Sequence, residues 1–371
     1  FGQKVNVDIS MGEEKPLVES YCIRVPKSLG EKAISAVARL GLLNKDLKVL
    51  KVEAYLLVPL REKPSEGQAA NIRGEIGEFE VLISSFPKRE KQIKSLIDFL
   101  ENRLPPHLLA SLPRSIDFVG DVAILEIPDE LEGYKNLVGE AVLKMFKRVR
   151  SVLAKSSAVK GDYRVREYEL MAGSANTETV HKEHGCRYFL DPRKVYFSPR
   201  LSYEHYRVAS QVAEGETVVD MFAGVGPFSI LIAKIRENVT VYSIDINPDA
   251  VEYLKRNIYA NNVHGKVIPF LGDAREIIKS RLRGVADRVI MNLPEKAIEY
   301  VDAACTALKS SGGFIHYYEI AGGSDAMERV KRRLIEAIER SGRSVEALLS
   351  ERIVKEVAPY RWHIAVDVKV K

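Results

Sequence analysis

The chain has 371 residues, 46% hydrophobic and 29% charged, with a formal net charge of +5. That length exceeds one ordinary domain, so two or three cored units are expected. No apolar run reaches the roughly 18 residues of a membrane span, and no apolar signal core is present. Cys22, Cys186 and Cys305 lie too far apart for a zinc site or a disulfide framework, which fits a reducing cytoplasm.

Residues 1–17 are polar and read as a flexible leader. A small module follows over 18–62. "SYCIRV" alternates as a strand, "SLGEKAISAVARLGL" carries Ser28 and Glu31 at capping-box spacing with Gly41 as a stop, and "LKVLKVEAYLLVPL" returns as β. The Pro-, Gly- and Glu-rich residues 63–77 read as a linker.

An α+β segment is expected over 78–190, opening with strand "FEVLISSF" and helix "KQIKSLIDFLENR", closed by Pro105-Pro106. Strands "SIDFVG" and "DVAILEIP" come next, then a basic amphipathic helix, "YKNLVGEAVLKMFKRVR", and short β stretches in "REYELMAG", "TETVHKEHG" and "CRYFLDP". Lys and Arg concentrate over 144–166, where they could contact phosphates.

Residues 191–371 alternate strand and helix. Strands are expected at 217–221, 239–244, 266–271, 287–292, 313–319, 350–357 and 361–370. This pattern specifies an α/β fold with a doubly wound, mostly parallel sheet, closed by an antiparallel edge hairpin.

Ligands of such sheets sit at the carboxyl ends of the strands. After the first strand comes "DMFAGVGPFS", whose Gly224 and Gly226 bring backbone close to a ligand. A dinucleotide fingerprint wants Gly or Ala where Ser229 stands, and Pro227 crowds the helix start. Asp220 at the strand tip would repel a pyrophosphate but suits a ligand carrying an ammonium and a sulfonium. S-adenosyl-L-methionine is such a ligand.

Asp245 in "YSIDINPDA" ends the second strand, where a carboxylate can accept both ribose hydroxyls. Asp273 in "PFLGDARE" ends the third and can accept from an adenine amino group. Single strand-tip acids are usually just solvated; three in order favour the sulfonium cofactor over a nicotinamide. Phe222, Ile246 and Ala274 adjoin these positions and join the expected cofactor-binding set.

The fourth strand ends in "DRVIMNLPEKA". Asn292-Leu293-Pro294 could be a plain turn, but this tip faces the transferable methyl group. It departs from the Asn-Pro-Pro-aromatic pattern of simple amino-methylating enzymes. No cysteine stands there for a thiolate adduct, and Cys305 reads as helical core.

Together, "YRVREYELMAG", "TETVHKEHG", "KVYFSPRLSYEH", "DMFAGVGPFS", "DINPDAVEYLKRN", "GDARE", "MNLPEKA" and "APYRWHIAVDVKV" resemble the archaeal and eukaryotic tRNA (guanine-37-N1)-methyltransferases over roughly residues 18–371. Guanine N1 carries a proton and no free lone pair, so methylation there needs a base near N1 and a cation or donor at O6. The resemblance assigns the base to Glu204 and the O6 cation to Arg164, with Arg166 the alternative in the same motif. It also gives Tyr196 and Arg200 a part in placing the target nucleotide, His205 a cofactor contact, Asn292 the base edge or methionine end, and Pro294 the shaping of the pocket.

Spacing alone leaves blander readings open. Arg200 and Glu204 could be a surface ion pair, Arg164 a solvated charge and Tyr196 a half-buried strand residue. The resemblance further implies tRNA as partner, its anticodon loop presenting a splayed base and its tertiary core touching the N-terminal module. A cytoplasmic monomer, independent of membranes, is expected, and Mg2+ enters as a family expectation only. Three alternatives remain: a bifunctional enzyme that also C-methylates 4-demethylwyosine, an aminocarboxypropyl transferase, and a non-catalytic RNA-binding protein.

Overall fold

A computed structural model describes residues 17–89, 95–156 and 166–371. Of the expected leader, residues 1–17, all but Leu17 lies outside the described residues, and Leu17 begins the first strand. The chain divides into two compact units, 1–93 and 94–371.

The first unit is built from β1 (Leu17–Pro26), α1 (Gly30–Arg39), β2 (Leu50–Val52), β3 (Tyr55–Pro59), α2 (Glu66–Ile76) and β4 (Glu80–Pro87). Its antiparallel sheet has the order β2-β3-β1-β4. Ile23, Val25, Val37, Val58 and Ile72 meet in its core, and burial pushes the Cys22 thiol up to about 12.

Two features differ from expectation. Most of the expected linker, 63–77, is helix α2. Its start is a capping box, in which Gln68 N–H donates to Ser65 Oγ at 3.3 Å and Ser65 N–H donates to Gln68 Oε1 at 2.8 Å. Burial of Ile72 and Ile76 fixes it in place. Strand β4, expected to open the second segment, pairs along its whole length with β1 from Leu17↔Pro87 to Arg24↔Glu80.

The second unit begins with α3 (Leu96–Leu100), α4 (Pro106–Leu109), β5 (Asp117–Val119), β6 (Val122–Leu125), α5 (Lys135–Met145), β7 (Ser151–Lys155) and β8 (Tyr168–Gly173). Strands β5-β6-β7-β8 form one sheet. Strand β7 hides inside the basic stretch: Ser151 to Ala154 are buried, and β7 runs parallel to β6. The expected phosphate-contacting run is thus interrupted by core, and residues 157–165 of it lie outside the described residues. A hairpin of β9 (Thr179–Glu183) and β10 (Cys186–Leu190) follows.

The remaining elements are α6 (Ser202–Gln211), β11 (Thr217–Asp220), α7 (Pro227–Ile235), β12 (Thr240–Asp245), α8 (Pro248–Ala260), β13 (Val267–Leu271), α9 (Ala274–Arg281), β14 (Arg288–Met291), α10 (Val301–Ala307), β15 (Gly313–Gly322), α11 (Ala326–Arg340), β16 (Val345–Ala358) and β17 (Arg361–Val370). They build a sheet of order β13-β12-β11-β14-β15-β17-β16. The first five strands in that order are parallel. Strand β17 is antiparallel to both its neighbours, which makes the expected edge hairpin.

Both faces of its central strands β11, β14 and β15 are buried, which explains their near-continuous apolar runs. Val218, Val241 and Ile290 pack under α7 and α8, while their neighbours Val219, Ile244 and Val289 pack toward α9, α10 and α11. Cys305 is core of the second face. Strand order reverses between β11 and β14, so their connections diverge and open a crevice at the carboxyl ends. Among the described residues no helix is long and apolar enough to cross a membrane.

Candidate functional site

A crevice of about 210 Å³ opens at that switch point. Its floor is the turn after β11. Gly224 has φ +56° and Gly226 φ +91°, a region that costs an L side chain about 1–2 kcal/mol. A Cβ on Gly226 would also stand 2.5 Å from Leu254 Cδ1 and 2.9 Å from Ile230 Cδ1. Gly226 therefore shapes the turn from behind, whereas Gly224 lines the crevice itself.

Asp245 pins this turn. Gly224 N–H donates to its Oδ2 at 2.7 Å and Asn247 N–H to its Oδ1 at 2.9 Å. Asp245 itself lines the crevice, which brings its carboxylate beside any ligand held there. Ile246 lines the wall beside it and is 38% exposed.

Asp273 caps α9, accepting from the Arg275 and Glu276 N–H groups, and Tyr300 OH donates to its other oxygen at 3.3 Å. Ala274, at the first position of α9, lines the crevice next to it. Phe222 meets Tyr300 edge-on at 5.1 Å, forming an aromatic corner.

Asp220 is placed differently from the sequence expectation. It is fully buried beneath the turn, where Ser229 Oγ donates to Oδ2 at 2.7 Å and Ser243 Oγ donates to Ser229 Oγ at 2.8 Å. Burial pushes its carboxyl up to about 7, against the Ser229 hydrogen bond and with a contribution from Asp245. It does not line the crevice, so it acts on the turn from below rather than on a ligand directly.

The opposite rim comes from the segment entering α6. Tyr196, Phe197, Ser198, Leu201 and His205 line it, and Asn292, Leu293, Glu295 and Lys296 close it after β14. His205 is buried, with Nδ1 donating to Glu183 Oε1 at 2.6 Å. Burial would raise Glu183, but His181 and His205 outweigh it and hold the carboxyl down at about 2. His205 also lines the crevice.

Glu204 departs from the surface-pair alternative. It is 1% exposed. Its partners are Arg207, Tyr318 and Arg352 rather than Arg200. It stands behind the crevice lining, one residue from His205. Arg200 instead donates to Asp117 Oδ1 of β5 at 2.6 Å. Pro294 is buried behind the β14 tip, its carbonyl accepting from Ile320 N–H at 2.8 Å. Arg164 lies outside the described residues, and Arg166 is half-buried.

Phe197, Lys296 and Tyr300 were not anticipated. Phe197 adjoins an assigned residue, and its side chain packs on the rings of His181 at 4.9 Å and His205 at 6.5 Å. Lys296 and Tyr300 follow the β14 tip on a short helical turn that no periodicity marks. Among the described residues no group of three or more His, Cys, Asp or Glu side chains could hold a metal ion, so no step through Mg2+ is derived.

The lining of the crevice suits an adenosine: it sets the Asp245 carboxylate, the Ile246 side chain and the Phe222–Tyr300 corner around one space. Comparison with known proteins agrees. The TRM5/TYW2 methyltransferase domain matches residues 179–346, the TYW2 N-terminal domain 96–177 and the tRNA methyltransferase 5 N-terminal domain 22–69. A tRNA (guanine(37)-N(1))-methyltransferase, Trm5b of Pyrococcus abyssi, is 39% identical over 95% of this chain and 99% of its own length.

Among solved structures, the complex of aTrm5 and tRNALeu superposes with a TM-score of 0.77 at 35% identity, covering 96% of this chain and 100% of that one. Methanocaldococcus jannaschii Trm5 in complex with adenosine gives 0.61 at 34% identity, covering 94% and 99%. With its strand order, its glycine turn and near full-length similarity, the chain belongs to the TRM5/TYW2 methyltransferase family.

Proposed function

We propose that this protein transfers the methyl group of S-adenosyl-L-methionine to N1 of guanosine-37 in tRNA. The observation that carries this reading is the pairing, in one crevice, of the Gly224–Asp245 cradle with Tyr196, His205 and Asn292 on the facing rim. The donor chemistry of the crevice fits the cofactor. Asp245 takes the ribose diol, Ile246 and Phe222 flank the adenine, Asp273 and the Ala274 N–H read its edge, and Gly224 backs the methionine end. When bound, the cofactor supplies an electrophilic methyl group on a cationic sulfur.

This chain's residues do the rest. Tyr196 and Asn292 hold the guanine in the rim, with Arg200 steadying the segment that carries Tyr196 and Pro294 bracing the β14 tip. His205 closes the cofactor side. Glu204 takes the N1 proton, and Arg164 or Arg166 offsets the charge that develops on O6. The anticodon loop supplies the splayed base, and residues of the first unit contact the tertiary core of the tRNA. The protein works as a cytoplasmic monomer.

Similarity to the tRNA 4-demethylwyosine(37)-methyltransferase Taw21 of Saccharolobus solfataricus, 38% identical over 69% of this chain, favours a second reading, in which the same crevice also C-methylates 4-demethylwyosine. Mass spectrometry of position 37 in tRNA incubated with the protein and labelled cofactor tests both. Label on guanosine N1 supports the first reading, and label on the tricyclic base as well adds the second. Label on neither refutes both.

A further inference from the structure

The two oxygens of the buried Glu204 carboxylate are not equivalent. Oε2 accepts from Tyr318 OH at 2.9 Å and from Arg207 Nε at 3.0 Å. Oε1 has no hydrogen-bond partner although it is buried. Arg352 Nε stands 3.1 Å from it, misaligned for a hydrogen bond and itself without a partner.

Behind Oε2 the network is fully tied. Arg207 turns both Nη groups onto Asp367 of β17. Asp367 in turn accepts from His316 Nδ1 at 2.7 Å. His316 Nε2 faces Arg288 Nη1 at 2.8 Å. An arginine can only donate, so His316 is neutral with its proton on Nδ1. Arg288 is held by Glu216 at 2.7 and 3.0 Å. Burial and the Glu204 carboxylate push the Tyr318 phenol well above its usual value, so it remains a donor throughout the working range.

We infer that Glu204 works through Oε1 alone, and that Tyr318 and the Arg207–Asp367 pair are positioning residues that hold Oε2 fixed so that Oε1 points its lone pair at the guanine. This rests on the reading of Glu204 as the base. In the step, the N1 proton passes to Oε1 and the freed N1 pair forms the bond to the methyl carbon. The carbon–sulfur bond breaks with its pair retained on sulfur, and the proton leaves Glu204 for solvent. Arg352 covers Oε1 from the edge strand, its guanidinium 4.7 Å above the Tyr203 ring. Its Nε has no hydrogen bond to lose when it makes way.

A kinetic cycle on the full-length protein tests this, using single-turnover transfer to tRNA with separate measurement of cofactor and tRNA binding. Loss of one charge-assisted hydrogen bond predicts that Tyr318→Phe slows transfer about tenfold to a hundredfold. Both dissociation constants should stay unchanged. The double variant Glu204→Gln/Tyr318→Phe should be no slower than Glu204→Gln alone, because Tyr318 acts only through Glu204. Should Tyr318→Phe fail to fold, Arg207→Lys in the same cycle gives the same pattern.

Multiplying effects, or a slow Glu204→Gln beside a wild-type Tyr318→Phe, overturn the positioning inference and leave the base assignment standing. A wild-type rate for Glu204→Gln overturns both.

Discussion

Replacing Asp245 by Ala is the sharpest test of where the cofactor lies. The carboxylate accepts Gly224 N–H at 2.7 Å and Asn247 N–H at 2.9 Å. It also lines the crevice, where the proposed reading sets it against the ribose diol. Two hydrogen bonds to a charged acceptor are worth about 1.5–3 kcal/mol each. The variant should therefore lose at least about 3 kcal/mol of cofactor affinity, roughly a hundredfold in dissociation constant.

Releasing the glycine turn adds to that loss. Asp245→Asn keeps the shape and one oxygen but turns an NH2 toward a backbone N–H, so its affinity should fall between the two. Calorimetric titration with S-adenosyl-L-methionine reads the effect, with the melting temperature as control for folding. An Ala variant that stays folded and binds cofactor as tightly as the parent would refute the placement of the ribose at β12.

Glu204→Gln should leave cofactor binding intact and slow single-turnover transfer about a hundredfold or more, the scale of general-base catalysis; an unchanged rate removes Glu204 from that role. Gly226→Ala combines a positive φ with contacts of 2.5 and 2.9 Å. It should cost about 2–4 kcal/mol of stability by denaturant titration, and a neutral substitution would mean that the turn relaxes freely.

Burial raises Asp220 to about 7, above its unfolded value of about 3.9. The folded state thus keeps a proton that the unfolded chain sheds between these values. The stability this confers is full below about pH 4 and is lost as pH rises toward 7. Asp220→Asn should flatten that decline in a series of melting temperatures, and identical slopes for parent and variant would contradict it.

The parallel sheet was legible because each strand and helix is punctuated locally. The edge hairpin showed because two β stretches adjoin with no helical period between them. Asp245, Asp273, Ile246 and Ala274 were legible as crevice residues because the sequence puts them at strand tips on the carboxyl edge of the sheet. Glu204 was not legible as a buried group, since Tyr318 and Arg352, which enclose it, come from strands far along the chain.

Asp220 misled for a related reason: a strand tip can lie under the turn as well as beside the ligand, and the difference depends on Ser229 and Ser243. The helix over 66–76 was missed because Pro64 and three glycines outweighed its capping box. Strand β7 was missed because flanking lysines and arginines masked a run of only five residues.

The position of β17 bears on how the enzyme is made. Of the seven strands of the large sheet it is the last to be synthesised, yet it lies between β15 and β16. Until residues 361–370 clear the ribosome, the sheet has a gap and Arg207 has no Asp367 to grip. A nascent chain can therefore assemble its glycine turn and acidic strand tips before the Asp367 support behind Arg207 and Glu204 is in place. The buried network that joins Glu204, Arg207, Asp367 and His316 closes with the final stitch of the sheet.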